Sequence, residues 1–567
     1  VAKKEKFIGK LVSEMTLEEK IGQCLTLEFC GTIIAPYVFD FVQRYHCAGL
    51  RITPHIYTAL PYGSRLSEKG EVKQRLSPYA TPDVYADILN QIQDLALNTR
   101  LGIPLYFSSD QEGDFSQDYS RGGVNLFPSA MGLAATGDED FVYKCCRAVA
   151  EQNRAVGIRM LHTPCLDVNI NPNNPEICTR SFGDDPDTVA RFGLAQLKGF
   201  RDGNIVATGK HFPGRGDSAV DVHFAMDVNR ASRKRLEEVE LYPYRKLIEA
   251  GLPAIMTAHT IYEAIDKDNP ASVSRKVVQG LLREEMGFKG VITSDAIGMH
   301  GVISRFSSYG EACAAAIAAG NDLVLAKGDP GNIPGAIEWM KRYVDDGRIP
   351  MEELDDHVRR VLALKWDYDV FKDPKVKPKG AVEIVRDKSV IKLSRQSAQR
   401  SAIVVRDRKG ILPLTPNTKV FFTDQRYDAY HNKAEDTWWH SHMMAEYLRE
   451  HSPNIADWEC ELKLTPDDEE HILKGAAEAD VVIFHSFYWR GCHTNTHMVR
   501  KVIAMGKPVI LVAGGPYKES IAIDEADCLI VTWGSTPRCV ENAAAVIYGK
   551  GKANGVWPLK NYKIEGV

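Results

Sequence analysis

The chain has 567 residues, 44% of them apolar and 26% charged, with a formal net charge of −5. That length is too great for one ordinary core and predicts two domains. The charge balance offers no basic footprint for nucleic acid, and no apolar run reaches the length of a membrane span.

The N-terminal Val1-Ala2-Lys3-Lys4-Glu5-Lys6-Phe7 is charged and leads into a helical pattern, with no apolar secretory region. The twelve cysteines are scattered, as in Cys145-Cys146, Cys313 and Cys528, with neither a CxxC pair nor a metal-ligand spacing. They read as free thiols in a reducing compartment, which predicts a cytoplasmic protein. A start at Val1 leaves a trimmed signal, and hence a secreted form, open.

From residue 20 to 330, short apolar runs alternate with amphipathic stretches. The runs are 21–29, 49–54, 104–110, 160–168, 205–212, 254–260, 290–295 and 322–326. Helical patterns cover 140–156, 186–201, 233–250, 274–286, 309–319 and 351–365. Eight β/α units predict a TIM-type (β/α)8 barrel over residues 1–370. A charged connector is expected over 371–398, followed by a smaller α/β sandwich over 399–567. Strand-like runs there are 402–405, 420–423, 481–485, 509–513 and 528–532. The Gly514-Gly515-Pro516 turn lacks the full dinucleotide pattern and carries little weight.

Barrel chemistry sits at the carboxyl ends of the strands. Polar residues fall at those ends here: Asp110, Asp167, Lys210-His211, His259 and Asp295. Each alone could be a satisfied structural group; together on one rim they point to a pocket. The loop Pro213-Gly214-Arg215-Gly216-Asp217-Ser218-Ala219-Val220-Asp221-Val222-His223 ends in an Asp-x-His pair. An Asp two residues before a His can orient the imidazole and raise its proton affinity. A surface salt bridge is the plainer reading of that pair. For Asp295, a desolvated carboxylate at a strand end suits attack on an anomeric carbon, and a helix N-cap is the even alternative.

Several motifs occur in one order: Asp110-Gln111-Glu112-Gly113, Thr179-Arg180-Ser181-Phe182-Gly183, Lys210-His211-Phe212-Pro213-Gly214, and Ser294-Asp295 with Met299. Pro270-Ala271-Ser272-Val273-Ser274 and the segment 280–290 fit with them, and Ile411-Leu412-Pro413-Leu414 follows in the second block. This set resembles glycoside hydrolase family 3 over nearly the whole chain, most closely its β-N-acetylglucosaminidase branch. The resemblance implies a retaining β-glycosidase acting from the chain end on a small amino-sugar glycoside. It implies Asp295 as nucleophile, His223 as acid/base and Asp221 as the group that orients His223. It implies Asp110, Arg180, Lys210, His211 and Met299 as substrate-binding residues, with no metal and no organic cofactor. A free imidazole titrates near about 6.5, so both protonation states are accessible near neutrality. An imidazole also repels phosphate less than a carboxylate does, which leaves phosphorolysis open.

The pattern departs at Arg215, where the branch usually has His, and at Val222, where a small polar residue is usual. Asp114 replaces a second Gly, and Phe224-Ala225-Met226-Asp227 stands where a Pro is expected. Arg121 is a weak candidate for a further substrate-binding Arg. The long connection 55–82, with Tyr57, Tyr62, Arg65 and Tyr79, suits a specificity loop. Plainer readings pair Arg180 with Asp184 or Asp185 and put Lys210 in a barrel ion pair. Two alternatives remain. One is a β-glucosidase-like hydrolase of another β-linked sugar, drawing a carboxylate such as Glu435 or Glu469 from the second domain. The other is a non-catalytic carbohydrate-binding relative. Oligomeric state is not legible in the sequence.

Overall fold

The computed structural model describes residues 2–54, 80–120, 122–425, 442–461, 463–486 and 494–567. Eight parallel strands form the first domain: β1 Leu25–Cys30, β2 Gly49–Thr53, β3 Tyr106–Ser109, β4 Ile158–Leu161, β5 Val206–Phe212, β6 Ala254–Thr257, β7 Val291–Ser294 and β8 Val324–Leu325. Their order runs β7-β6-β5-β4-β3-β2-β1-β8. A Thr293–Leu323 bridge joins β7 to the approach to β8, and Ser294 N–H donates to Leu323 O at 3.0 Å, closing the barrel. The eight predicted apolar runs therefore supply the eight staves.

The strands are buried apart from half-buried Glu28 and Cys30 of β1, as a sheet covered on both faces requires. Ala48, Tyr106, Met160, Val206, Ala254, Val291 and Leu323 form one cluster at the amino ends of the strands and plug that end of the barrel. Gly209 inside β5 is needed for packing: a Cβ there would sit 2.9 Å from both Leu166 and Leu252. The outer helices carry ordinary stop signals. Glu139–Val156 starts on Asp138, whose carboxylate accepts from Phe141 N–H, and stops at Gly157 with φ 105°.

Two expected elements differ in detail. The pattern at 233–250 forms two helices, Arg233–Glu238 and Tyr242–Glu249, because Pro243 starts a new helix. The connector is helical over Pro378–Val385 and Lys388–Ser401. The first of these helices packs on barrel helices Pro82–Leu97 and Glu139–Val156.

The second domain is an α/β sandwich on six strands: β9 Ile403–Asp407, β10 Val420–Gln425, β11 Ile455–Cys460, β12 Val481–Ser486, β13 Val509–Ala513 and β14 Cys528–Val531. Their order is β9-β14-β13-β12-β10-β11, with β9 antiparallel to β14 and the other pairs parallel. Strand β11 was not among the expected runs. It lies at the sheet edge and carries Asp457 and Glu459, so it lacks a continuous apolar run.

Candidate active site

The carboxyl ends of β2 to β5 build an ion-paired floor. From β2, Arg51 Nη2 donates to Asp110 Oδ2 at 2.6 Å and lies 2.8 Å from Asp118 Oδ2. From β5, Lys210 Nζ donates to Asp110 Oδ1 at 2.7 Å and lies 2.6 Å from Glu112 Oε1. Arg180 takes Glu112 in a two-point fork, Nε to Oε2 at 2.8 Å and Nη2 to Oε1 at 3.0 Å. Asp110 is the accessible member, with its side chain 25% exposed against 2–7% for Arg51, Glu112, Lys210 and Arg180. Burial works to neutralise Asp110, but Lys210, Arg51 and His162 outweigh it and hold the carboxyl well below its usual range. Burial likewise opposes ionisation of Glu112, and Arg180 with Lys210 brings it down to about 2. Asp118 is pushed up to about 6, by burial and by the charge on Asp110, against the pull of Arg51.

Arg180 pairs with neither Asp184 nor Asp185. Asp184 accepts the backbone N–H groups of Lys560, Asn561 and Tyr562, and Asp185 caps its own helix and meets Lys560. Lys210 does sit in a barrel ion pair, and that pair is also what holds Asp110.

His211 links the floor to Asp295. Its Nδ1 meets Asp167 Oδ2 at 2.7 Å, and its Nε2 lies 3.4 Å from Arg180 Nη2 and 3.9 Å from Asp295 Oδ2. Asp167 is fully buried and also accepts Arg215 N–H at 2.6 Å. Burial would raise the Asp167 carboxyl; His211, that N–H and Cys165 bring it to about 2. Asp295 follows β7 directly. Its Oδ1 accepts Ala296 N–H at 2.7 Å. Burial pulls it towards the neutral acid, but His211, His259, the Ala296 N–H and Lys210 hold it far below the usual carboxylate range. His259 faces the carbonyl of Ala296 through Nε2 at 3.0 Å and Ser272 Oγ through Nδ1 at 2.8 Å, so it braces the turn after Asp295.

The loop after β5 brings Asp221 and His223 together, Oδ1 to Nδ1 at 2.6 Å, and Asp221 also accepts His223 N–H at 2.9 Å. Val222 is fully buried and its carbonyl accepts Gly301 N–H at 3.2 Å. The apolar residue between Asp and His is thus an anchor beneath the pair. Arg215 is also buried; its Nη2 donates to Glu176 Oε2 at 2.7 Å. Glu176 in turn lies 3.5 Å from Arg180 Nη1 and 3.7 Å from His223 Nδ1. Asp221, His223, Phe224, Ala296, Gly298, Met299, Lys327 and Gly328 line a cleft of about 330 Å³.

Among the described residues, two sets of donor atoms are close enough together to hold a cation: Cys165, Asp167 and His211, and Glu176, Asp221 and His223. In the first, His211 Nδ1 is taken up by Asp167; in the second, the Arg215 guanidinium already neutralises Glu176. Neither arrangement favours a metal.

Arg51, Glu112, Asp118, His162 and Glu176 were not singled out in the sequence. Glu112 stood within a quoted motif, and Arg51 and His162 stood inside recognised apolar runs; those were the available signals. Arg121 and residues 55–79 of the long connection lie outside the described residues.

A closed (β/α)8 barrel with its charged groups gathered at one rim, followed by an α/β sandwich, defines a two-domain barrel protein. Within that class the chain belongs to glycosyl hydrolase family 3, whose N-terminal domain matches residues 16–364. It is 31% identical over 329 residues to a β-N-acetylglucosaminidase/β-glucosidase of Cellulomonas fimi, covering 56% of this chain and 57% of that one. It is 28% identical over 388 residues to β-hexosaminidase A of Pseudoalteromonas piscicida, covering 62% and 61%. The chain thus spans less than two thirds of the length of these curated relatives. A solved family 3 β-N-acetylglucosaminidase from Paenibacillus sp. str. FPU-7 superposes with a TM-score of 0.82 at 25% identity, covering 96% of this chain and 99% of that one.

Proposed function

We propose that the chain is a retaining β-glycoside hydrolase, an exo-acting β-N-acetylglucosaminidase. The observation that carries this reading is the Asp221–His223 pair, 2.6 Å apart, lining the same cleft as the turn after Asp295. Asp295 attacks the anomeric carbon and forms a glycosyl-enzyme. His223, oriented by Asp221, gives its proton to the leaving oxygen and then takes one from water. Phosphate can stand in for water in that second step, since an imidazole does not repel it as a carboxylate would. Asp110 accepts from sugar hydroxyls while Arg180, Lys210 and His211 donate, and Met299, which lines the cleft, is a further substrate-binding residue. Residues 1–370 form the catalytic unit in this reading, 371–398 the connector and 399–567 the accompanying sandwich.

A second-domain carboxylate has less support. Glu469 meets His497 at 3.1 Å and Lys501 at 2.7 Å on a surface helix, and Glu435 lies outside the described residues. Turnover of aryl β-glycosides of N-acetylglucosamine, glucose and xylose, with and without phosphate, tests the proposal. The expected result is highest kcat/KM on N-acetylglucosaminide. Turnover of none of them by the wild type would overturn the enzymatic reading, and preference for glucoside would overturn the sugar assignment.

A further inference from the structure

None of the described charged groups of the floor comes from the second domain, yet that domain grips the hairpin that carries three of them. The hairpin runs through Gln111–Gly113 and Ser116–Gln117, with Asp110 and Asp118 at its base and Glu112 on its first strand. Its turn is left-handed at Gly113 (φ 110°) and at Asp114 (φ 47°). Inside the hairpin, Asp118 Oδ2 accepts Asp110 N–H at 2.7 Å, and Gln117 Nε2 donates to Asp114 O at 2.7 Å.

The Asp114 side chain points out of the barrel into the second domain. There its Oδ1 accepts the N–H of Ser535 at 2.7 Å, just beyond β14. Gly534 lets the two chains approach, since a Cβ at that position would lie 2.8 Å from Asp114 Cγ. Ser535 is held from behind: its Oγ lies 3.1 Å from His485 Nε2, and His485 Nδ1 lies 3.0 Å from Asp424 Oδ1. Ser535 and His485 are completely buried. A second tie runs alongside, from Ser129 N–H to Trp533 O at 3.0 Å.

A carboxylate at φ 47° is a costly way to make a turn, because glycine adopts that conformation without a steric penalty. The cost is offset here by one buried hydrogen bond across the domain boundary. We propose that Asp114 is a positioning residue, through which the second domain fixes the hairpin and with it Asp110 and Glu112. The proposal rests on the sugar-binding role given above to that floor. Asp114 touches no reacting atom; it acts through the register of residues 110–118.

The experiment compares the full-length chain with Asp114→Gly, Asp114→Asn and Lys560→Ala. Glycine removes the carboxylate while relieving the left-handed backbone, so the variant keeps its fold. Asparagine keeps an oxygen to accept Ser535 N–H. Lys560→Ala removes a different barrel-to-sandwich contact, the 2.8 Å pair with Asp185, away from the hairpin. Two readouts are taken: amide hydrogen exchange over residues 108–120, and KM and kcat on aryl β-N-acetylglucosaminide.

In Asp114→Gly, exchange in the hairpin rises about tenfold and KM rises about tenfold, with kcat within about threefold of wild type. Asp114→Asn stays within about threefold in both readouts, and Lys560→Ala behaves as wild type. Unchanged hairpin exchange in Asp114→Gly, or equal effects in Lys560→Ala, would overturn the latch. Raised exchange with wild-type KM would overturn its link to sugar binding. A wild type that turns over no glycoside would count against the proposed function, while the exchange comparison still decides the latch.

Discussion

Asp295 keeps its charge where burial favours the neutral acid, because His211, His259, Lys210 and the Ala296 N–H all favour the anion. In the proposed mechanism Asp295 is the nucleophile, and these contacts favour the ionised form that attack requires. Asp295→Asn is expected to lower kcat/KM by roughly 10³-fold or more, read on an activated aryl glycoside. His223→Ala should slow poor leaving groups by roughly 10²-fold or more and activated ones far less, giving a steep leaving-group dependence. Asp114 titrates the other way. Burial raises its carboxyl from the ordinary aspartate range to about 7, against the Ser535 and Phe115 N–H groups and His485. The folded state therefore binds this proton more tightly than the unfolded chain. The resulting stability is fully present below pH 3.8 and is lost as the pH rises through about 7. Asp114→Asn removes that loss, so its melting temperature relative to wild type should climb between pH 5 and pH 8 in thermal scans. A constant difference would contradict the assignment.

The groups read from the sequence were those whose signal is local. Asp110, Lys210-His211 and Asp295 end apolar runs, and Asp221 and His223 are two residues apart. Arg51 and Glu112 had no such mark, because their partners lie far along the chain: Arg51 meets Asp110 across 59 positions and Glu112 meets Arg180 across 68. Only the side-by-side pairing of β2, β3 and β4 brings those charges into contact.

Among the elements, the loop between β5 and His223 is the most demanding. It leaves the barrel at Phe212, turns under Arg215, and returns over buried Val222. Gly216 passes so close to β4's following loop that a Cβ would sit 1.7 Å from Val168 O. Gly216→Ala must displace this segment, and with it the Asp221–His223 pair. The expected outcome is a fall of about tenfold or more in kcat, with thermal unfolding and KM on the same substrate measured beside it. Retention of wild-type kcat would show that the loop does not set the dyad. The alternating runs made the barrel legible, because parallel strands covered on both faces are apolar throughout. The same rule hid β11, where Asp457 and Glu459 interrupt the run on an edge strand.

At the scale of the whole molecule, the two domains divide the work. The barrel supplies the charged groups of the site, and the sandwich holds the hairpin through Ser535, Ser129 through Trp533 O, and Asp184 through the backbone N–H groups of Lys560 to Tyr562. Among the described residues no helix is long and apolar enough to cross a membrane. All of the protein's proposed chemistry converges on one covalent bond between Asp295 and a sugar. The most direct test is to trap that intermediate with a slow fluorinated N-acetylglucosaminyl donor and map the adduct by peptide mass spectrometry. The account predicts one sugar per chain on the peptide containing Asp295, with release on dilution into acceptor. An adduct on any other residue, or efficient turnover with the α-anomer as first product and no adduct, would contradict it.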